Sequence, residues 1–293
     1  MATTVTYKGQ TLATVENQTK TLQTAGTWVE DDFTLTDVSG GGGDTTLIDE
    51  LVTGVFVRNE TFNQTTFGGV FANTTGAYDI ELPNVTTLRR TSYTFDQSTL
   101  NSVSMPSYTG DAYNIFRSSK IPHISVDNLS SINQSNAFDN CSIQKAFFPK
   151  AVIALTGTPN SAFNNCKSLT VAVIKAIGNT YYAFRGCTAL TAVDILDNTN
   201  NNRIDNAFQN STAFETLIIR AETMYPLTNT SAFNGTKFAS GGTGGTLYVP
   251  SALISTYQSA TNWSTILGYS TNSIQAIEGS YYETHYADGT VIS

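Results

Sequence analysis

The chain has 293 residues, of which 40% are hydrophobic and only 13% are Asp, Glu, Lys or Arg. The apolar share is enough for a core, and the formal net charge of -8 repels phosphate backbones, so we expect no nucleic-acid partner. No run approaches about 18 apolar residues and the first residues lack a signal-peptide pattern, so we expect neither membrane insertion nor conventional secretion.

Residues 1–38 alternate polar and apolar side chains, a pattern that predicts a small antiparallel β sheet. A segment this short, with no cysteine, rarely forms a stable core by itself. We therefore expect it to dock on a partner or to self-associate. Residues 39–45 are a Gly-rich linker. In residues 46–70, the segment Thr46–Val52 predicts one or two helical turns that cap the first repeat unit.

Residues 71–250 contain a repeated unit, which is marked first by an aromatic residue. One Phe recurs at intervals of 21 to 25 residues, at Phe71, Phe95, Phe116, Phe138, Phe163, Phe184, Phe208 and Phe233. A small side chain follows three residues after each Phe, at Thr74, Ser98, Ser119, Cys141, Cys166, Cys187, Ser211 and Thr236. In most units a run of the form apolar-x-x-apolar-x-apolar comes next, as in Leu190/Val193/Ile195.

This run predicts a short strand with one buried face, and such a unit must stack on its neighbours to bury that face. The predicted fold is mainly β with short helical turns: a leucine-rich-repeat-like solenoid of about eight repeats, preceded by the small antiparallel module. Residues 251–293 are expected to form a C-terminal cap and tail. We expect a repeat core formed by Phe95, Phe116, Phe138, Cys141, Phe163, Cys166, Phe184, Cys187, Phe208 and Phe233.

The pattern Ala-Phe-x-x-Cys-x-x-Leu, complete in Ala162–Leu169 and Ala183–Leu190, resembles the BspA-type leucine-rich repeats of bacterial and phage surface proteins. The closing segment Leu247–Leu253, followed by Trp263, is similar to the usual ending of that family. The resemblance covers about 200 residues and implies a repeat solenoid, with functions that mostly concern adhesion.

The N-terminal segment carries a second resemblance. Its Tyr7-Lys8-Gly9-Gln10 opening, the stretch Thr19–Gly26 and the strand pair Trp28–Thr36 before a Gly run are similar to N-terminal modules of phage tail and other virion proteins. This resemblance implies that residues 1–38 attach the chain to other virion proteins.

The three cysteines follow one another at spacings of 25 and 21 residues, which fit no zinc or redox motif. Cys141, Cys166 and Cys187 share one repeat phase, so we expect a column of buried, reduced thiols, with a metal or redox ladder as the alternative. The only histidines are His123 and His285, and neither has a nucleophile or a second ligand at a useful spacing. We therefore expect no catalytic residue, no metal and no cofactor.

Two other patterns have a functional and a structural interpretation. Asp79 and Glu81 could act as a glycosidase pair, but they alternate with apolar residues and so share one solvated strand face. The run Gly241–Gly245 lacks the Lys-Ser/Thr of a phosphate loop and is interpreted as an insertion in the last repeat.

The outward positions of the repeat strands form the candidate binding face. Two interpretations stay open: an interaction surface, or ordinary β-favouring residues on a wet sheet. A one-residue slip would exchange Phe147 with Phe148. The face comprises Ser102, Ser104, His123, Ser125, Lys145, Phe147, Val171, Val173, Asp194, Thr216, Ile218 and Arg220.

These patterns lead to a hypothesis of a phage virion component, a tail fibre or tail-associated adhesin assembled in the host cytoplasm. Its solenoid would bind a host-surface glycan or protein, and the chain would form a homo-oligomer, taken here as a trimer. The alternative is a bacterial BspA-like cell-surface adhesin or partner-binding repeat protein. A third hypothesis is a depolymerase with its site between subunits.

Overall fold

A computed structural model describes residues 3–7, 10–16, 19–22, 71–73, 75–76, 79–81, 93–110, 112, 114–132, 136–153, 161–178, 182–198 and 203–277. Several predicted features lie outside these ranges. They are the strand pair 28–36, the linker 39–45, the cap 46–70, Thr74 and His285.

The N-terminal strands form an antiparallel sheet in the order β1-β2-β3, with β1 at Thr3–Tyr7, β2 at Gln10–Glu16 and β3 at Thr19–Leu22. The middle strand β2 pairs with both neighbours. The sequence pattern does not predict β3, because the connection Asn17-Gln18 lacks the glycine of the common two-residue hairpin turns.

The remaining strands are parallel and form two sheets, in the orders β4-β5-β6 and β7-β8-β9-β10-β11-β12-β13. Together they make a solenoid of about seven turns, which confirms the predicted fold class. Their bounds are β4 Asp79–Glu81, β5 Ser102–Ser104, β6 His123–Ser125, β7 Ser131–Ile132, β8 Lys145–Ile153, β9 Val171–Ile177, β10 Ala192–Ile195, β11 Thr216–Ile219, β12 Thr246–Val249 and β13 Ser273–Ala276.

The eight repeat Phe rings stack in one continuous column through the solenoid. Centroids of successive rings lie 4.8 to 5.9 Å apart, and every ring is buried. Parallel strands are separated by about 4.8 Å, so one aromatic ring per turn nearly fills the available spacing. The column therefore links each turn to the next by ring-to-ring contact.

The turn that carries each Phe is also hydrogen-bonded from one repeat to the next. For example, the Phe163 N–H donates to the Ala183 carbonyl at 2.7 Å, and the Asn165 N–H donates to the Arg185 carbonyl at 2.8 Å. The residue two places after the Phe has a left-handed backbone, which Asn and Gly adopt most readily. These residues, with φ of 54° to 73°, are Asn73, Gln97, Ser118, Asn140, Asn165, Gly186, Asn210 and Gly235.

Among the described residues, the small side chains three places after the Phe form a second buried column, and all of them except Cys141, which contacts Ser119 Oγ at 3.2 Å, donate to carbonyls of Phe residues. Ser98 Oγ donates to the carbonyl of Phe95, three residues earlier, at 2.7 Å. Cys166 Sγ instead donates to the carbonyl of Phe138, in the preceding turn, at 2.8 Å. Ser, Thr and Cys suit this position because each is small and carries one donor for a carbonyl that water does not reach.

The C-terminal cap closes the end of the Phe column. Its helices are α1 (Ile254–Ser259) and α2 (Trp263–Leu267), which follow 3-10 turns at Thr230–Phe233 and Ser251–Leu253. The Trp263 ring lies 5.7 Å from the last repeat ring, centroid to centroid, and its Nε1 donates to the Tyr225 carbonyl at 2.7 Å. Strand β13 then pairs with β12, so the parallel sheet continues one strand beyond residue 250.

Close packing requires glycine at two positions immediately before β12, Gly244 and Gly245. Gly244 has a φ of +106°, and a Cβ at this position would lie 2.2 Å from the carbonyl oxygen of Thr271. A Cβ on Gly245 would lie 2.4 Å from the Phe238 ring. Glycine is therefore needed here to fit the loop against the cap, and the run joins the last turns of the solenoid.

We expect Phe163→Ala to lower the free energy of unfolding by about 3 to 5 kcal/mol, because it opens a cavity in the middle of the Phe column. Phe147→Ala is the matched control, since that ring is 38% exposed and its loss should change stability by roughly 0.5 kcal/mol or less. Urea unfolding followed by circular dichroism measures both. Equal losses for the two variants would contradict the stacked column.

We expect none of the three thiols to react with dithionitrobenzoate in the folded chain at neutral pH. All three are free and buried, and burial raises the pKa of Cys141 to about 11, which removes the reactive thiolate. After unfolding in guanidinium, three equivalents should react. Rapid labelling of any thiol in the folded protein would show that the column is open to solvent.

Candidate functional site

A groove with a volume of about 450 Å³ lies on the outer face of β5, β6 and the start of β8. Six residues of the predicted binding face line it, together with the middle residues of β5 and β6 and residues that flank the strands. The full lining is Ser102, Val103, Ser104, Pro122, His123, Ile124, Ser125, Asp127, Gln144, Lys145 and Phe147. The groove therefore brings together the predicted face residues of three successive turns.

The groove lies where the two parallel sheets meet. Within the described strands, β6 pairs with β5, whereas β8 pairs with β7 and β9. Backbone hydrogen bonds still cross this boundary just before the strands, where the Gln144 N–H donates to the Pro122 carbonyl at 3.0 Å. Beyond these residues no ladder joins β6 to β8, so the sheet surface is interrupted at the groove.

The groove combines one aromatic ring with many hydrogen-bonding groups. The Phe147 side chain is 38% exposed, while Phe148 is fully buried in the core, which decides between the two neighbouring registers. Ser125 Oγ donates to Asp127 Oδ1 at 3.2 Å, and just beside the groove Ser102 Oγ donates to Asp79 Oδ1 at 2.6 Å. Such a set can hold a ligand with an apolar face and several hydroxyl or amide groups.

Five lining residues were not among the predicted face residues, and two of them, Asp127 and Gln144, have side chains with strong hydrogen-bonding groups. Neither lies within a strand: Gln144 precedes β8 and Asp127 follows β6. Alternation along a strand therefore does not identify them. Gln144 lies one residue before the outward position Lys145, and Asp127 lies two residues after the outward position Ser125, so a polar residue close to a strand end is the signal that would have pointed to both.

The predicted face does not continue as an exposed surface along the solenoid. Val173, Asp194 and Ile218 were expected to point into solvent, but they are 3%, 0% and 0% exposed. The parallel register shields them, because it places Val173 between Phe147 and Asp194, and Ile218 between Asp194 and Tyr248. The remaining face residues Val171, Thr216 and Arg220 are half-buried.

The buried carboxylate of Asp194 forms an ion pair with the half-buried Arg220 of the following turn. Arg220 Nε donates to both carboxylate oxygens at 3.0 Å. Burial raises the pKa of Asp194 to about 6, and the nearby guanidinium of Arg220 opposes this rise. This pair links two turns on the outer side of the sheet, and we assign it a structural role.

The described part of the chain contains no group of three or more His, Cys, Asp or Glu side chains arranged to hold a metal ion. Nor does any helix described there reach the length and apolarity needed to cross a bilayer. His123 lies exposed in the groove, and Asp79 is exposed beside it. The side chain of Glu81 lies outside the described residues.

We expect Asp194→Asn to change how stability depends on pH. The pKa of Asp194 is raised from 3.8 to about 6 in the folded chain. Between these pH values the folded protein therefore binds more protons than the unfolded chain does. The free energy of unfolding consequently falls as pH rises through this window. The variant lacks this fall, so its stability relative to wild type should rise by about 2 to 3 kcal/mol from pH 4 to pH 6. Denaturant titrations at each pH measure the difference.

Asp79→Asn is the control for this experiment, because it removes the charge of an exposed carboxylate. Its stability should follow the wild-type profile more closely than that of Asp194→Asn. Parallel profiles for Asp194→Asn and wild type would show that Asp194 is not held in a desolvated site.

A comparison with protein-family models relates these repeats to a known group. The model described as BspA type Leucine rich repeat region, which has six copies, matches residues 63–170 and 159–240. No curated protein sequence matches the chain. The matched ranges cover more than half of the chain and include the stacked Phe turns and the groove. The match supports a repeat protein with a surface or binding role. The chain therefore belongs to the BspA-type leucine-rich repeat family.

Proposed function

We propose that this protein is a phage virion component, a tail fibre or tail-associated adhesin, that acts by binding and not by catalysis. Residues 1–38 would attach it to other virion proteins, and the solenoid would bind a glycan or protein on the host surface. The particle location is supported by the resemblance of the N-terminal segment to phage tail and virion modules. We further propose that the chain assembles as a homo-oligomer with three subunits.

The groove at the boundary between β6 and β8 is the observation that carries the binding role. It collects His123, Lys145 and Phe147 with several serines on one outer surface of the solenoid. Exposed aromatic rings beside hydrogen-bonding groups are typical of recognition surfaces, since the ring contributes contact area and the polar groups fix orientation.

The stacked core supports this role because it holds the groove in a fixed shape. The strands that carry the groove are anchored by buried Val103, Ile124 and Ala146, which face the core between the outward positions. A site on a rigid scaffold loses little conformational entropy when a ligand binds.

A bacterial BspA-like cell-surface adhesin is the alternative, and the family match to residues 63–240 is the observation that favours it. It would use the same groove, so the two proposals differ in where the protein resides. In that case residues 1–38 would attach the chain to a bacterial partner and not to a virion.

Immunodetection with antibodies raised against the solenoid tests the location. We expect the chain to co-sediment with infectious particles in a density gradient, and the antibodies to reduce adsorption of those particles to host cells. Detection only in the host lysate, and never in purified particles, would overturn the virion assignment. Detection on intact bacteria that release no particles would favour the alternative.

A further inference from the structure

We infer that the groove binds a neutral oligosaccharide, and that Phe147 stacks on a sugar ring while Asp127, Gln144 and Lys145 hydrogen-bond its hydroxyl groups. This inference rests on the proposed binding function and names the ligand class. It follows from the size of the groove, its polar groups, its charge and its exposed ring.

The size of the groove favours a small ligand over a protein surface. Its volume of about 450 Å³ falls within the roughly 300 to 1,000 Å³ that is usual for small-molecule sites. It is lined by 11 residues, whereas a stable protein interface uses about 20 to 30 residues on each side. A short stretch of a glycan chain matches this scale.

The polar groups of the groove match the chemistry of hydroxyls, which both donate and accept hydrogen bonds. The Asp127 carboxylate is an acceptor, the Lys145 ammonium is a donor, and the Gln144 amide supplies both functions. Ser102, Ser104 and Ser125 add hydroxyls that can act either way. A ligand with several neighbouring hydroxyls can use this mixed set fully.

The charge of the groove favours a neutral ligand. Lys145 and Asp127 carry opposite charges within the same lining, and the remaining lining residue that can titrate is His123. Just outside, the exposed carboxylate of Asp79 accepts a hydrogen bond from Ser102. The whole chain has a net charge of -8, so its field also opposes the approach of an anionic polysaccharide.

Phe147 supplies the apolar contact that such a ligand needs. It is 38% exposed, and within the described residues only Tyr93, at 39%, is another large hydrophobic side chain with comparable exposure. An aromatic face carries partial negative charge and attracts the partly positive C–H groups on one face of a sugar ring. Tyr93 does not line the groove. The Arg117 guanidinium lies over its ring, with Cζ 5.2 Å from the ring centroid.

The test uses the full chain with four neutral probes, namely lactose, maltotriose, cellotriose and mannotriose, and with trigalacturonic acid as the charged probe. Saturation-transfer NMR detects contact, and calorimetry measures affinity. We expect at least one neutral probe to bind with a Kd of about 1 mM, and Phe147→Ala to weaken this binding at least tenfold. Tyr93→Ala is the matched control and should bind as wild type does.

Asp127→Asn should weaken binding as well, since an amide accepts fewer hydrogen bonds than a carboxylate. Both groove positions are outside the buried core, so the variants are expected to unfold at the wild-type denaturant midpoint. Tighter binding of trigalacturonic acid, no binding of any neutral probe, or equal effects of Phe147→Ala and Tyr93→Ala would overturn the inference.

Binding of the labelled chain to intact host cells separates this inference from the proposed function. The cells are those to which the purified particles adsorb. Cell binding that depends on Phe147 but that no neutral sugar inhibits would keep the binding function and overturn the sugar assignment. Cell binding that is absent, or unchanged in Phe147→Ala, would overturn the groove as the binding site altogether.

Discussion

Stacking of one turn on the next is the constraint on which the rest of this structure depends. A single turn has one Phe and one or two short strands, and it cannot bury its apolar face without a neighbour. The Phe rings meet at centroid distances of 4.8 to 5.9 Å, close to the separation of parallel strands. Each buried ring contributes about 1.5 to 3 kcal/mol, so the column is a large part of what holds the turns in register.

The same spacing governs the polar groups inside the repeat. The turn beside each Phe needs a left-handed residue to direct its N–H toward the next turn, and Asn or Gly occupies most of these positions. Close stacking also limits their size, since a Cβ on Gly186 would lie 2.5 Å from Asn165 Oδ1 of the preceding turn. Small residues also satisfy nearby Phe carbonyls, and Cys166 and Cys187 act there as packed hydrogen-bond donors.

The candidate site arises where the strand ladder between two successive turns is interrupted, although their Phe rings still stack. On β9, β10 and β11 the outward residues lie in register and shield one another, as the burial of Asp194 between Val173 and Ile218 shows. Between β6 and β8 the strand ladder is broken, and the residues on the two sides line a groove in place of a closed surface. Stability thus depends on the repeated positions, whereas the capacity to bind depends on a departure from the repeat.

The period of the sequence by itself determined the solenoid, the Phe column and the phase of the small residues, because these features repeat in every unit. Alternation along each strand also indicated that Phe147 faces outward and Phe148 inward. Only the tertiary structure decided which outward residues are exposed. Asp194 is buried between Val173 and Ile218 of the neighbouring strands and pairs with Arg220, which lies 26 residues later, and the groove depends on a break between two strands. Alternation tells which side of a strand a residue occupies, but its neighbours across the sheet determine how much solvent reaches it.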